Sequence, residues 1–124
     1  MSETWKLVFC VRRREDVAPA DFTRYWRENH AALVTSVRDQ LGLVRYVQSH
    51  TVFGEHTDLL RASRGAAEPF DGIAEVWVEV EDLERERTQE ALEAALALIE
   101  DEGTFVDLAR SVVFWTREAE IFGP

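Results

Sequence analysis

The chain has 124 residues, and its 24 acidic side chains against 14 basic ones give a formal net charge of −10. This length suits one compact domain, which we expect to cover residues 1–124. The acidic balance disfavours nucleic acid, whose phosphates require clustered Lys and Arg, and it disfavours anionic membranes. No apolar stretch approaches the ~20 residues that cross a bilayer, so we expect a cytoplasmic protein.

The order of hydrophobic patterns along the chain predicts strand, helix, strand, strand, helix, strand. The predicted strands are Trp5–Val11, Leu43–Val52, Ile73–Val80 and Val112–Thr116, and the predicted helices run from Pro19 to near Arg38 and from Leu83 to Glu100, with one further turn over Phe105–Ala109. The segment Phe53–Pro69 shows no clear period and is predicted to be a long loop.

A helix joins the first strand to the second and another joins the third to the fourth, and such crossovers are right-handed. The order therefore predicts an α+β protein with a ferredoxin-like, four-stranded antiparallel sheet and two helices on one face.

The opposite face of such a sheet has to be polar or covered. Here both faces are apolar, because Leu7 and Phe9 alternate with Val8 and Cys10, and Val113 alternates with Phe114. A sheet that is apolar on both sides predicts a homodimer packed sheet to sheet.

His30 is the first candidate for catalysis. Phe22, Trp26, His30 and Leu33 recur at spacings of four, four and three, which places them on one helical face directed at the sheet. An imidazole in a half-enclosed pocket can act as a general acid or base near neutral pH. The alternative is a structural histidine whose ring is satisfied by a backbone carbonyl.

Tyr46, Gln48 and His50 form a polar row on one face of the second strand, because side chains alternate with a period of two. Three hydrogen-bonding groups in a row can orient an enol, phenol or lactone oxygen. The alternative is an edge strand that presents the row to solvent.

Glu75 interrupts an apolar strand beside Trp77. Desolvation there would raise the pKa of the carboxyl and make it a usable base. The alternative is an ion pair with Lys6 or Arg12 on the neighbouring strand. Trp77 is expected in the core or in a pocket wall.

The sequence offers no cofactor motif. His50, Glu55 and His56 match no compact metal-binding spacing, and the single cysteine, Cys10, reads as a small buried hydrophobe rather than a nucleophile. Dinucleotide fingerprints and phosphate loops are missing as well. We therefore expect neither a metal nor a cofactor.

Several segments together resemble the EthD family. They are Lys6-Leu7-Val8-Phe9, Phe22-x-x-x-Trp26-x-x-x-His30, Asp71-Gly72-Ile73-Ala74-Glu75-Val76-Trp77 and the ending Phe105–Ser111. The resemblance implies a dimeric α+β barrel with a pocket between the sheet and the helices of each subunit. Relatives include methylmuconolactone isomerases, and the wider superfamily holds polyketide cyclases, cofactor-free monooxygenases and haem-degrading enzymes.

The resemblance carries the helix histidine of the family onto His30, and it makes Glu75 and Trp77 motif members. We therefore expect a small cofactor-independent lyase, isomerase or cyclase that acts on a hydrophobic oxygenated ring or a polyketide-like substrate. His30 would shuttle a proton while Tyr46 and His50 bind the developing oxyanion. The expected substrate contacts are Phe22, Trp26, Gln48 and Trp77. The alternatives are a cofactor-free monooxygenase, with haem binding as a variant, and a non-catalytic ligand-binding dimer.

Overall fold

The computed structural model describes residues 3–124. The elements in chain order are β1 (Thr4–Val11), α1 (Pro19–Arg24), a π-helix (Tyr25–His30), α2 (Ala31–Ser36), α3 (Arg38–Leu41), β2 (Leu43–His50), α4 (Glu55–Arg64), β3 (Gly72–Glu79), α5 (Val80–Glu84), α6 (Gln89–Glu102), a 3₁₀-helix (Leu108–Arg110) and β4 (Val112–Thr116).

The four strands form one antiparallel sheet in the order β2-β3-β1-β4. In the centre of the sheet, Val8 of β1 lies opposite Glu75 of β3 on one side and Phe114 of β4 on the other. The helical segment between β1 and β2 and the helical segment between β3 and β4 pack on the same side of this sheet. The prediction of a ferredoxin-like α+β fold with an antiparallel sheet is confirmed.

The strand register assigns every strand residue to one of two faces. The helix-covered face carries Trp5, Leu7, Phe9, Val11, Tyr46, Gln48, His50, Ala74, Val76, Val78, Val113 and Trp115. The other, which we call the bare face, carries Lys6, Val8, Cys10, Arg45, Val47, Ser49, Ile73, Glu75, Trp77, Val112 and Phe114. Both faces are largely apolar, as the sequence indicated.

The core lies between the helix-covered face and the helices. Its buried members are Val11, Phe22, Trp26, Ala74, Phe105 and Val106. Trp26 is 2% exposed, and its indole packs against Phe22 with 5.5 Å between ring centroids. The same indole lies directly over Gly72, where a Cβ would come within 2.5 Å of the Trp26 ring and 2.7 Å of the Ser49 carbonyl oxygen. Only glycine fits at position 72.

The first helix is less regular than its sequence pattern predicts. Its middle turn is the π-helix, in which the Ala31 N–H donates to the carbonyl of Trp26, five residues back. A π-turn holds more residues than an α-turn, so side chains four apart stay aligned. Val34, four residues after His30, therefore continues the buried face, whereas the sequence pattern assigned that place to Leu33, which is only half-buried.

Two other predictions about the helices are wrong in detail. The segment Phe53–Pro69 contains α4, which Gly65 ends in the left-handed conformation at φ 59°. None of the α4 residues is buried, and Leu59 and Leu60 are both exposed. The predicted helix Leu83–Glu100 is instead α5 and α6, because the Thr88 hydroxyl caps the Ala91 N–H at 3.1 Å and starts a new helix.

Within residues 3–124, none of the helices combines the length and the apolar character that crossing a bilayer requires.

We predict that Gly72→Ala destabilises the protein by about 2–3 kcal/mol, because the new methyl group forces the Trp26 ring or the β2 backbone to move. Gly103→Ala is the matched control, since a Cβ there meets only ordinary contacts beyond 3.4 Å in a right-handed conformation. Urea denaturation of both variants measures the difference. Equal stabilities of the two variants would contradict the close packing of Trp26 on Gly72.

Candidate active site

A cavity of about 510 Å³ lies between the helix-covered face of the sheet and the helices. Its lining is mostly apolar and comes from both layers: Leu7, Phe9, Val11, Trp26, Val34, Leu41, Leu43, Ala74, Val76, Val78, Leu83, Ala95, Leu98, Ile99, Phe105, Val106, Leu108, Val113 and Trp115. Its polar lining residues are His30, Tyr46, Arg87, Glu102 and Ser111. The volume is in the range of sites for small organic molecules.

His30 is 5% exposed and reaches the cavity from the last position of the π-helix. Its Nδ1 lies 2.8 Å from Oδ2 of Asp101, and its ring packs on Phe105 with 5.2 Å between centroids. A carboxylate only accepts hydrogen bonds, so Nδ1 carries a hydrogen and donates it to Asp101. The other ring nitrogen, Nε2, is then free to exchange protons with the cavity. The His30 ring is therefore hydrogen-bonded to a carboxylate and not to a backbone carbonyl, which was the structural alternative that the sequence left open.

Asp101 holds the imidazole in this orientation. Its Oδ2 accepts from His30, and its Oδ1 accepts from the hydroxyl of Tyr25. The hydrogen bond to this carboxylate raises the pKa of Tyr25 above its ordinary value. With both oxygens engaged, the Asp101 carboxylate is fixed, and it holds the imidazole ring of His30 in one orientation.

Glu102 is the next residue along α6, and its environment is different. Its side chain is 19% exposed and lines the cavity, and Oε2 lies 3.8 Å from Nε2 of His30. Burial, with the nearby charge of Asp101 as the smaller cause, raises the pKa of Glu102 to about 7. Its carboxyl therefore both holds and releases a proton near neutral pH.

Tyr46 reaches the cavity from β2 and is held there by Gln48. The amide nitrogen of Gln48 donates to the Trp26 carbonyl at 2.8 Å and to the Tyr46 oxygen at 2.7 Å. Because the phenol oxygen accepts from Gln48, its own hydrogen is left to donate elsewhere. Burial raises the pKa of Tyr46, so the phenol stays protonated and serves as a donor.

His50 completes this network from outside the cavity. The carbonyl oxygen of Trp26 accepts a hydrogen bond, so the Gln48 atom facing it must be the amide nitrogen. The amide oxygen of Gln48, Oε1, therefore faces His50 Nε2 at 2.9 Å. That nitrogen must therefore carry a hydrogen. The ring stacks on Trp26 with 4.5 Å between centroids, and burial, aided by the charge of Arg27, lowers the pKa of His50.

The structure thus brings together most of the residues that the sequence singled out. Trp26, His30 and Tyr46 line the cavity, and Gln48 and His50 support them. Phe22 is 3% exposed and lies in the core beneath Trp26 rather than in the cavity wall.

Glu75 and Trp77 lie on the bare face, with the sheet between them and the cavity. Glu75 pairs with Lys6 at 2.7 Å, which is the alternative that the sequence left open. Trp77 packs between Lys6 and Arg45, whose charged groups lie 5.4 and 4.5 Å from its ring, and its Nε1–H donates to Glu118. Neither side chain can reach a molecule bound with His30.

Sequence reasoning missed Asp101 and Glu102, because the predicted helix ended at Glu100. The spacing of residues in the sequence could have revealed Glu102. It follows Ile99 by three residues and Ala95 by seven, so it extends the row of α6 side chains that faces the cavity. A carboxylate in line with an apolar row is a candidate for a perturbed pKa.

In the described part of the chain, no three His, Cys, Asp or Glu side chains are grouped closely enough to hold a metal ion.

We predict that Glu102→Gln stabilises the protein at pH 8 by about 2–3 kcal/mol relative to the wild type. The pKa of Glu102 rises from an ordinary 4.5 to about 7 on folding, so the folded state binds the proton more tightly than the unfolded state does. Wild-type stability therefore falls as the pH rises from 4.5 to 7, whereas the glutamine variant lacks this loss.

Urea denaturation at pH 4 and pH 8, at one protein concentration, measures this effect. We expect the advantage of Glu102→Gln to vanish at pH 4, where the carboxyl is neutral in both states. Glu100→Gln on the exposed side of α6 is the control and should show no such dependence. An advantage that is the same at both pH values would contradict the raised pKa.

Several solved structures share this fold, including the following three. An EthD-like protein from Ralstonia eutropha is 12% identical with a TM-score of 0.59, covering 94% of this chain and 93% of its own. A hypothetical protein from Arabidopsis thaliana is 13% identical with a TM-score of 0.57, covering 97% and 92%. A dimeric protein of unknown function and ferredoxin-like fold from Bacteroides fragilis is 7% identical with a TM-score of 0.56, covering 93% and 96%.

At these identities the similarity establishes the fold alone. No curated protein matches the sequence. The model of the EthD domain matches residues 14–109, which is most of the chain and includes His30, Tyr46 and Glu102. The chain therefore belongs to the EthD family.

Proposed function

We propose that the protein is a cofactor-independent acid–base enzyme that isomerises, cyclises or dehydrates an apolar, oxygenated ring or a polyketide-like molecule. One observation carries this proposal: an apolar cavity of about 510 Å³ in which His30 and Tyr46 both line the wall. The apolar lining favours a hydrophobic ligand, and these two groups can move a proton and hold an oxygen.

His30 is the proton shuttle in this proposal. The Asp101 carboxylate on Nδ1 fixes the ring and stabilises the imidazolium that forms when Nε2 takes a proton. Tyr46 donates its hydroxyl hydrogen to the oxygen on which negative charge develops. His50 acts through Gln48, whose amide orients the phenol of Tyr46, and so has a positioning role.

Isomerisation, cyclisation and dehydration leave the overall oxidation state of the substrate unchanged. They require only that protons be moved and that an oxyanion be stabilised, and side chains supply both. The alternative of a cofactor-free monooxygenase requires oxygen consumption during turnover, and a ligand-binding dimer requires binding without chemistry. The experiment below separates the three.

We predict that the protein accelerates exchange of the α-protons of 2-tetralone, an apolar bicyclic ketone, in D₂O. Proton NMR follows the loss of the α-proton signal. His30→Ala and Tyr46→Phe should each slow the catalysed exchange about 100-fold, since acid–base and oxyanion groups contribute at least that much. His56→Ala, an exposed histidine on α4, is the matched control and should keep the wild-type rate.

Full activity of His30→Ala would remove the role assigned to this residue. Fluorescence titration with 2-naphthol, a stable analogue of the enol of 2-tetralone, separates binding from catalysis. Binding of 2-naphthol without any acceleration of exchange would assign the cavity to ligand binding instead, and oxygen uptake would favour the monooxygenase.

We also propose that two copies pair through their bare faces, which closes the two sheets into an α+β barrel. The bare face exposes Phe114 and Val112, each 47% exposed, and Ile73 at 37%. The similar protein from Bacteroides fragilis is described as dimeric. Such a dimer would also cover Cys10, whose thiol stays reduced in the cytoplasm, the location we propose.

We predict that Phe114→Asp converts the dimer to a monomer at micromolar concentration, because it places an unpaired charge within the apolar interface. Leu96→Asp is the control, since Leu96 is 59% exposed on α6 in the opposite layer. Sedimentation velocity distinguishes the two states. A wild-type monomer, or dissociation by Leu96→Asp alone, would contradict this arrangement.

A further inference from the structure

We propose that Glu102 is the catalytic base that removes a proton from carbon, and that the substrates are apolar carbonyl compounds with a C–H bond next to the carbonyl group. This inference rests on the proposed acid–base function of the cavity, and it names both the base and the substrate class.

The placement of Glu102 is unusual for a carboxylate. It lies at the last position of α6, faces the cavity and is 19% exposed. Among residues 3–124, no group donates a hydrogen bond to its side-chain oxygens, and the nearest basic group is the His30 ring at 3.8 Å. A carboxylate kept free of donors remains basic and is available to a bound molecule.

The charged and titratable groups around Glu102 support this role. His30 faces it from the π-helix, Tyr46 from β2, and Asp101 precedes it on α6. Arg87, the basic residue in the cavity lining, precedes α6 and lies about 20 Å away along the helix axis. Among the residues that the structure describes, no arginine or lysine forms an ion pair with this carboxylate, and its pKa of about 7 suits a base that works near neutral pH.

The two adjacent carboxylates have different roles in this proposal. Asp101 accepts hydrogen bonds from Tyr25 and His30 and so is occupied in orientation. Glu102 lies beside the other ring nitrogen, Nε2, so His30 and Glu102 can share a single proton. In one form Glu102 is a carboxylate beside an imidazolium, and in the other it is a neutral acid beside a neutral imidazole.

The first form carries out enolisation. The Glu102 carboxylate takes the proton from the carbon, and the electron pair of that C–H bond forms the C=C bond. The C=O π electrons move to oxygen, which takes the proton from Nε2 of His30 while Tyr46 donates a hydrogen bond to it. The products are the enol, a neutral Glu102 carboxyl and a neutral imidazole.

The reverse transfers complete the turnover. In a substrate with a further C=C bond beyond that carbon, Glu102 returns its proton to the far carbon of the dienol, and the enol O–H returns its proton to Nε2, which gives an isomer of the starting ketone. No oxidant or reductant enters, and the protein returns to its starting protonation. With 3.8 Å between them, the two groups lie side by side on the cavity wall, so both can face the same edge of a bound carbonyl compound.

The test compares Glu102→Gln with Glu100→Gln, which makes the same change on the exposed side of α6. We expect Glu102→Gln to slow α-proton exchange of 2-tetralone at least 100-fold, and Glu100→Gln to leave it unchanged. Binding of 2-naphthol should change less than about threefold in both variants, because the glutamine side chain keeps the volume of the cavity wall. Glu102→Asp should restore part of the exchange rate.

Exchange at the wild-type rate in Glu102→Gln, together with slow exchange in His30→Ala, would overturn the role of Glu102 and leave the proposed function intact. Exchange that is no faster than in buffer for the wild type would overturn both proposals. A second readout does not depend on turnover: ¹³C NMR of the carboxyl of Glu102 should show a titration near pH 7, and titration near pH 4.5 would also overturn the proposal.

Discussion

The contact between Trp26 and Gly72 determines where the first helix lies on the sheet. The indole occupies the space that any side chain at position 72 would fill, with Ser49 closing the other side. This contact fixes the distance of the π-helix from the sheet. As a result, His30 reaches the cavity, and the Trp26 carbonyl accepts a hydrogen bond from the Gln48 amide. Core packing and the orientation of Tyr46 therefore depend on one glycine.

Two neighbouring carboxylates on α6 show how surroundings determine chemistry. Asp101 accepts two hydrogen bonds, which secures its place beside His30. Glu102 has no donor among the described residues, and burial raises its pKa to about 7. Pairs of titratable groups whose environments differ in this way are typical of acid–base sites. A carboxyl whose pKa is raised in the folded state makes folding less favourable once the group ionises.

Much of the fold could be predicted because it follows from local patterns. Alternation along each strand gave the two faces correctly, including the shared face of Glu75 and Trp77. Alternation does not say which face the helices cover, however, so these two residues were equally compatible with a pocket. Periodicity placed His30 towards the sheet, but it assigned the next buried position to Leu33 and not to Val34, because an ordinary α-helix allows a step of three as well as four. Asp101 and Glu102 were missed because α6 extends two residues beyond its predicted end.

The central strand β1 links the cavity to the proposed dimer. Leu7 and Phe9 line the cavity, while Val8 and Cys10, between and beside them, lie on the bare face. Anything that packs on the bare face therefore restrains the backbone that positions the cavity floor. The helices and the partner subunit would hold β1 from opposite sides of the sheet. Both the cavity and the proposed dimer would then require an apolar sheet face. A monomer would keep its cavity but lose the rigidity of its floor. The proposed dimer would therefore support the geometry of His30, Tyr46 and Glu102 without contacting any of them.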